Sequence, residues 1–165
     1  MKRSFTLIEI IVTVVIVAVI SGGALVYVNR FNSRQKLEKA KEEMVASIKL
    51  VQSYAKGRQL PPGSTENELK YIRLELSSGL TTAYVNNVGT SYFSKKVDNP
   101  ETTVTFSRSP IYFWAGTGRL ALDISGTAYS VGNTETITLT QTTESVEKYM
   151  IRINELGQIK EINYL

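Results

Sequence analysis

The sequence predicts an α+β fold, in which one long N-terminal α-helix, membrane-spanning over its first half, packs on an antiparallel β-sheet head. Three observations predict this fold. An uncharged, largely apolar run extends over residues 10–29. Apolar side chains then recur at helical spacing up to Lys56. From residue 59 onward, short β-prone segments alternate with turn residues.

The first element is the apolar run. At the helical rise its residues span roughly 30 Å, the thickness of the hydrocarbon core of a bilayer. A secretory signal peptide is the alternative, because Ser21-Gly22-Gly23-Ala24 has the small residues of a cleavage site. The run continues through Val28, beyond that site, and this favours a helix that stays in the membrane.

Glu9 lies just before this run, four residues after Phe5, and it is the only charged residue between Phe5 and Asn29. A carboxylate at membrane depth costs a few kcal/mol, about 3 on insertion scales, so it is rare without a partner or a function. We therefore expect Glu9 to need a cation. The alternative is that Glu9 lies at the headgroup level and is hydrated.

The first nine residues resemble a known signal. Met1-Lys2-Arg3-Ser4 followed by Phe5-Thr6-Leu7-Ile8-Glu9 is similar to the type III signal of type IV prepilins and pseudopilins: a short basic leader, a small residue and a hydrophobic helix. The resemblance implies cleavage between Ser4 and Phe5 by a prepilin peptidase, and N-methylation of Phe5. It also implies assembly into a filament, with Glu9 facing the Phe5 amine of a neighbouring subunit.

The chain departs from the usual prepilin pattern in two places. Ser4 stands where that family more often has Gly, and the segment lacks the helix-breaking Pro that many members carry midway. Gly22-Gly23 is its weak point, since each glycine lowers helix propensity by about 1 kcal/mol. Local unwinding there is compatible with the sequence but is not implied by it.

The basic residues raise a question of orientation. Lys2 and Arg3 precede the apolar run, whereas a larger basic group, beginning with Arg30 and Arg34, follows it. The positive-inside rule would place the C-terminal side in the cytoplasm. The prepilin resemblance implies the opposite orientation, and we follow it because it specifies a processing site.

The second element is an amphipathic continuation of the same helix. Its apolar stripe consists of Leu37, Ala40, Met44, Ile48, Val51 and Ala55. The pattern predicts one continuous helix from Phe5 to near Gly57, whose second half lays this stripe on the head. We interpret the stripe as core packing and not as a ligand site.

Leu60-Pro61-Pro62-Gly63-Ser64 ends the helix, and a strand-rich, antiparallel head follows. In Thr136–Thr140 the alternation directs Ile137 and Leu139 toward a core and the threonines outward. In Tyr112-Phe113-Trp114 at least one ring is expected in the core. The predicted strands cover residues 71–76, 81–86, 103–106, 111–115, 119–124, 128–131, 136–141, 149–154 and 159–164.

The C-terminal hairpin, over residues 149–160, also resembles that of H-type pseudopilins and related minor pilins. Some minor pilins of this kind bind DNA through arginines in that hairpin. Here Gln158 and Lys160 stand there, flanked by Glu155 and Glu161. The departure weakens a DNA-receptor interpretation.

Composition excludes several classes of enzyme. With no histidine and no cysteine, the chain cannot build a Ser-His-Asp triad, a thiol nucleophile, a His/Cys zinc site or an iron–sulfur cluster. Asp98, Asp123 and Glu135 are too scattered for a sequence-local calcium loop. We therefore expect no enzyme activity, cofactor or metal. The slightly acidic head has no field to attract a polyanion, so nucleic acid is not an expected partner.

Together these features predict a structural subunit of a type IV pilus or type II secretion pseudopilus. The alternative is a minor pilin that acts as a DNA- or surface-ligand-binding module. Expected partners are other pilin subunits, the prepilin peptidase and the inner-membrane assembly platform. The subunit would cross the inner membrane once before it joins a cell-surface or periplasmic filament. The predicted parts are a cleaved leader (1–4), a transmembrane and polymerisation helix (5–29), its amphipathic continuation (30–58) and a globular head (59–165).

Overall fold

A computed structural model describes residues 6–86, 89–97, 101–125, 133–141 and 148–164. The first element, α1, is a single α-helix over Leu7–Lys56, continuous through Gly22 and Gly23. The predicted long helix is confirmed. It is long and apolar enough in its N-terminal part to cross a membrane.

The helix ends in a hydrogen-bonding pattern typical of Schellman motifs. The Gln59 N–H donates to the Tyr54 carbonyl (3.0 Å), and the Arg58 N–H donates to the Ala55 carbonyl (3.2 Å). Arg58 takes the left-handed conformation that such a cap requires, with φ of 49°. These bonds satisfy carbonyls that would otherwise lack partners, and they explain why the helix stops at the predicted place.

The chain divides into two compact units, residues 1–35 and residues 36–165. Within the described part of the second unit, nine strands form two antiparallel sheets. The five-stranded sheet has the order β3-β2-β1-β5-β6, and the four-stranded sheet has the order β4-β7-β8-β9. The strands are β1 (Tyr71–Ser77), β2 (Leu80–Val85), β3 (Ser91–Lys96), β4 (Thr102–Phe106), β5 (Ile111–Trp114), β6 (Leu120–Ala121), β7 (Thr134–Gln141), β8 (Lys148–Asn154) and β9 (Ile159–Tyr164).

Most predicted strands are confirmed within one or two residues at their ends, and so is their antiparallel pairing. The strand predicted over residues 119–124 is wrong in length, because among the described residues only Leu120–Ala121 pairs, with Phe113 and Tyr112 of β5. The strand predicted over 128–131 lies outside the described residues. Strand β3 was not predicted, since Ser91–Lys96 is largely polar and exposed.

The predicted helical stripe forms the core of the second unit. Leu37, Met44, Ile48, Val51 and Ala55 are at most 2% exposed, and Ala40 packs against them. Side chains from both sheets join this cluster, including the predicted pair Ile137 and Leu139, which are fully buried. The alternate residues of β7, Thr136, Thr138 and Thr140, are half-buried on the other face. The interpretation of the stripe as core packing is confirmed.

Candidate functional site

The N-terminal end of α1 carries the glutamate half of a capping box, in which the side chain of the N3 residue accepts a hydrogen bond from the backbone N–H of the N-cap residue. The Thr6 N–H and the Thr6 hydroxyl both donate to Oε2 of Glu9, at 2.9 Å and 2.8 Å. The Glu9 N–H in turn donates to the Thr6 carbonyl at 3.1 Å. The pattern Thr6-Leu7-Ile8-Glu9 is the Thr-x-x-Glu signature of this motif, and a carboxylate in the first turn also suits the positive end of the helix dipole.

This arrangement gives Glu9 an intramolecular partner that the sequence analysis did not foresee. Among the described residues, no cation pairs with Glu9, and its Oε1 receives no hydrogen bond. One carboxylate oxygen is therefore occupied by Thr6, while the other remains available. Thr6 is the site residue that the sequence analysis missed, and the capping-box spacing would have revealed it.

Another polar side chain in the apolar segment is satisfied within the helix. The Thr13 hydroxyl lies 2.9 Å from the carbonyls of both Glu9 and Ile10. This back-bonding removes the need for an external partner in an apolar environment. Glu9 is thus distinguished from Thr13 by its remaining free acceptor.

The surface around Glu9 is apolar and open in the single chain. Large side chains from Leu7, which is 77% exposed, to Val28, which is 49% exposed, line this part of α1. Apolar surface on this scale is not stable in water and must be covered by lipid or protein. The exposed set comprises Leu7, Ile8, Ile10, Ile11, Val12, Val14, Val15, Ile16, Val17, Val19, Ile20, Tyr27 and Val28.

The predicted processing residues, Ser4 and Phe5, lie outside the described residues, as does the leader that precedes them. Glu9 is therefore the one predicted site residue that the structure places.

The acidic residues weighed for a calcium loop do not converge in the described part of the chain. Asp98 lies outside it. Asp123 accepts hydrogen bonds from the Ser125 N–H (2.9 Å) and hydroxyl (2.6 Å), whereas Glu135 is buried beside the Ser107 hydroxyl at 2.6 Å. Among the described residues there is no acidic cluster suited to a metal ion.

Comparison with known families matches one segment of the chain. Residues 1–25 match the family described as the prokaryotic N-terminal methylation motif. No curated protein and no solved structure matches the chain.

This match and the fold agree with the resemblance drawn from the sequence. The chain carries a prepilin-type signal of the type IV pilin and pseudopilin kind, heading a long apolar helix. The long helix packed on antiparallel sheets is consistent with a pilin-like α+β fold. The motif supports a precursor that is processed by prepilin peptidase and anchored in a membrane before assembly with other subunits.

Proposed function

We propose that this chain is a structural subunit of a type IV pilus or type II secretion pseudopilus. Prepilin peptidase cuts between Ser4 and Phe5, the new amino terminus on Phe5 is methylated, and the subunit polymerises through its hydrophobic helix. The methylation motif over residues 1–25 and the helix-then-sheet order support this role. The filament, not the single chain, is then the functional form.

One observation carries the proposal: a carboxylate with a free oxygen lies in an exposed apolar surface. Glu9 is bound by Thr6 through Oε2 alone, and its neighbours Leu7, Ile8 and Ile10 are more than half exposed. If only lipid covered this surface, the Glu9 carboxylate would remain without a cation. A second subunit can cover the apolar side chains and also supply a cation.

The cation is the amine that cleavage creates on Phe5 of the neighbouring subunit. When helices stagger so that this amine reaches Oε1 of Glu9, both charges leave the headgroup region as a pair. Removing one partner from such a desolvated pair strands the other at a cost of about 3–5 kcal/mol. Because other staggers leave both charges unpaired, Glu9 selects the register of the filament.

The segments take distinct roles in this scheme. Residues 1–4 form the leader, residues 5–29 the membrane and polymerisation helix, residues 30–58 its amphipathic continuation and residues 59–165 the head. The subunit spans the inner membrane once with the head outside the cytoplasm, and the assembly platform extracts it into a cell-surface or periplasmic filament. The protein acts as a building block, without a catalytic role.

The processing step is tested by mass spectrometry of the chain purified from membranes. We expect a mature N-terminus at Phe5 and a mass increment of one methyl group. A mature chain that retains Met1–Ser4, or begins at another residue, contradicts the proposal.

The assembly step is tested with Glu9→Val. This variant is expected to be inserted and cleaved like the native chain but to yield few or no filaments. Thr13→Val is the matched control, because it also replaces a polar side chain of the same segment but one whose hydroxyl bonds only to its own helix. Filament yields that are equal for the native chain and Glu9→Val would refute the role of the charge pair.

A further inference from the structure

One face of the five-stranded sheet carries a concentration of aromatic side chains. We define the aromatic face as Tyr71, Tyr84, Tyr112 and Trp114 together with Arg73 at its centre. The residues come from β1, β2 and β5, which are adjacent in the sheet. The proposed role of the N-terminal helix in assembly does not involve this face.

The strand register places these residues on the same side. Tyr71 pairs with Trp114, and Arg73 pairs with Tyr112 on one side and Tyr84 on the other. Side chains alternate along a strand, so the residues between them point to the opposite face. Those intervening residues, such as Ile72 and Phe113, are fully buried in the core.

Tyr71 packs against the rings of Tyr112 and Trp114, Tyr84 packs against Arg73, and the face retains open surface. Tyr71 is only 5% exposed and lies against Trp114, with centroids 6.3 Å apart at 19°, and edge-on against Tyr112 at 5.6 Å. The Arg73 guanidinium lies 4.8 Å from the centroid of the Tyr84 ring. Tyr84, Tyr112 and Trp114 are half-buried, so this packing fixes their orientation before any ligand binds.

The guanidinium at the centre has unused hydrogen-bonding capacity. Arg73 carries five N–H donors, yet among the described residues its polar contact is one ion pair, from Nη2 to Glu75 Oε2 at 3.7 Å. That distance exceeds the roughly 2.8 Å of a charge-assisted hydrogen bond. The Arg73 Nε has no hydrogen-bond partner among the described residues, but it is shielded from solvent, so the donors left for a ligand are those of Nη1 and Nη2. Donors of Arg73 and acceptors of Glu75 therefore stand side by side.

The charge balance at this face restricts the ligand. Arg73 is offset by Glu75, and a second carboxylate, Glu66, is joined to the Tyr71 backbone through the Asn86 side chain. Arg119 lies opposite Trp114 across the β5/β6 hairpin, so the face holds two cations against two carboxylates. A polyphosphate would find no net positive charge here, and an organic cation would meet the central guanidinium. A neutral ligand with both donor and acceptor groups fits the face best.

We propose that the aromatic face binds a neutral polysaccharide. The C–H groups on the apolar face of a pyranose ring match the negative π-surfaces of Trp114 and Tyr112, whereas the sugar hydroxyls match the donors of Arg73 and the acceptors of Glu75. Binding sites for small ligands commonly combine aromatic walls with a few polar groups in this way. The head would then attach the filament subunit to a glycan surface.

The sole tryptophan of the chain lies in this face, which gives a direct readout. The full-length chain in a zwitterionic detergent without sugar groups is titrated with cellotetraose and maltotetraose. We expect a saturable change in Trp114 fluorescence with at least one of them. Oligothymidylate and choline, titrated in parallel, are expected to leave the emission unchanged. Saturable binding of either in place of the sugars, or no saturable response to either sugar, overturns the proposal.

Variants locate the binding site by isothermal titration calorimetry, which does not depend on the fluorophore. Tyr112→Ala and Trp114→Ala are expected to weaken sugar binding by more than about tenfold, and Trp114→Phe, which keeps an aromatic ring, by only a fewfold. Arg73→Gln is expected to weaken it several-fold. Tyr149→Ala is the matched control, since it removes a half-buried ring from β8 in the other sheet. Equal sugar affinity in Trp114→Phe, Arg73→Gln and the native chain, or a loss caused by Tyr149→Ala, contradicts the assignment.

Discussion

Gln52 of α1 donates a buried hydrogen bond from its Nε2 to the backbone carbonyl of Gly157, in the turn between β8 and β9. The two residues are 105 positions apart, so this bond ties the C-terminal part of the helix to the last hairpin of the chain. Gly157 has a φ of 79°, which side-chain-bearing residues rarely adopt. The hairpin can approach the helix this closely because no Cβ intervenes.

Gly157→Ala is predicted to destabilise the head strongly. A Cβ at this position would lie 2.5 Å from the Gly118 carbonyl oxygen and 2.9 Å from Gln52 Nε2. We expect a loss of about 3 kcal/mol or more in the free energy of unfolding, measured by urea denaturation of the full-length chain in detergent. Gly63→Ala is the control, because Gly63 has nearly the same φ, 78°, but open space around it. Gly63→Ala should cost only about 1 kcal/mol in the free energy of unfolding. Equal losses in the two variants would show that the close contacts of the added Cβ at position 157 do not contribute.

The side chain of Asn86 is predicted to make a second large contribution to the stability of the head. Its Oδ1 accepts from the N–H groups of Lys70 (2.8 Å) and Tyr71 (3.2 Å), and its Nδ2 donates to Glu66 (2.8 Å) and the Glu68 carbonyl (2.9 Å). Asn86→Ala removes all four bonds at a buried site, so we expect a loss of about 3 kcal/mol in the same assay.

Asn86→Gly separates the two contributions at this position. Asn86 has a φ of 46°, which glycine adopts without strain, whereas alanine does not. The glycine variant should therefore be about 1 kcal/mol more stable than the alanine variant, yet clearly less stable than the native chain. Native stability in Asn86→Gly would show that the side-chain hydrogen bonds contribute little.

The stability of the head is predicted to fall in the alkaline range because of Tyr92. The Tyr92 ring stacks on Tyr54 at 4.9 Å, and its hydroxyl donates to the Gln59 carbonyl. Burial, with a smaller contribution from Tyr54, raises the pKa of Tyr92 from 10.0 to about 12. The unfolded chain loses this proton near its ordinary pKa while the folded chain retains it, so ionisation favours unfolding as the pH rises from 10 to 12.

Tyr92→Phe isolates this effect, because the phenyl ring keeps the stacking but has no proton to lose. The difference in unfolding free energy between the native chain and Tyr92→Phe should be constant below pH 10, the pKa of Tyr92 in the unfolded chain. Between pH 10 and about 12, the pKa in the folded chain, the native chain should lose stability relative to Tyr92→Phe. Burial also raises the pKa of Tyr71, but Tyr71 is present in both proteins and cancels in the comparison. A difference that does not vary with pH would contradict the prediction.

Thr6 is predicted to stabilise the first turn of α1 through its hydroxyl. Thr6→Val keeps the shape but removes the hydroxyl's bond to Glu9 and leaves the bond from the backbone N–H, whereas Thr6→Ser keeps both bonds. Loss of the hydrogen bond from the Thr6 hydroxyl to Glu9 is expected to cost about 1 kcal/mol of local stability in Thr6→Val, seen as several-fold faster amide exchange at Glu9 and Ile10 in micelles. Their N–H groups both donate to the Thr6 carbonyl. Equal exchange rates in Thr6→Val and Thr6→Ser would leave the hydroxyl without a role in capping.

Much of the fold follows from local patterns. The helix was predictable because its apolar spacing is continuous from the membrane segment to Ala55 and no proline interrupts it. The alternation in β7 identified Ile137 and Leu139 as core residues, since neighbouring positions of a strand face opposite sides. Glu9 was equally identifiable, because it is an acidic residue in an otherwise apolar segment.

Strand β3 and the end of β6 could not be predicted in this way. Ser91–Lys96 has the composition of a loop, and it becomes a strand because β2 supplies hydrogen-bonding partners and Tyr92 and Phe93 pack at the edge of the core. Conversely, residues 122–124 continue a β-prone pattern but have no ladder partner in the part of the chain that the structure describes, so β6 stops at Ala121. Pairing depends on distant segments, which local propensity does not include.

By itself, the sequence determined the long amphipathic helix, the membrane segment with its acidic residue, the prepilin-type signal and the strand-rich head. Each of these depends on residues that are neighbours in the chain, within a few turns of helix or along one strand. Only the tertiary structure decided the hydrogen bond from Gln52 to the Gly157 carbonyl and the strand order of the two sheets. It also decided that Tyr84, Arg73 and Trp114 lie on one face. These features join residues far apart in sequence, and their geometry is set by register and packing that emerge only when the whole core forms.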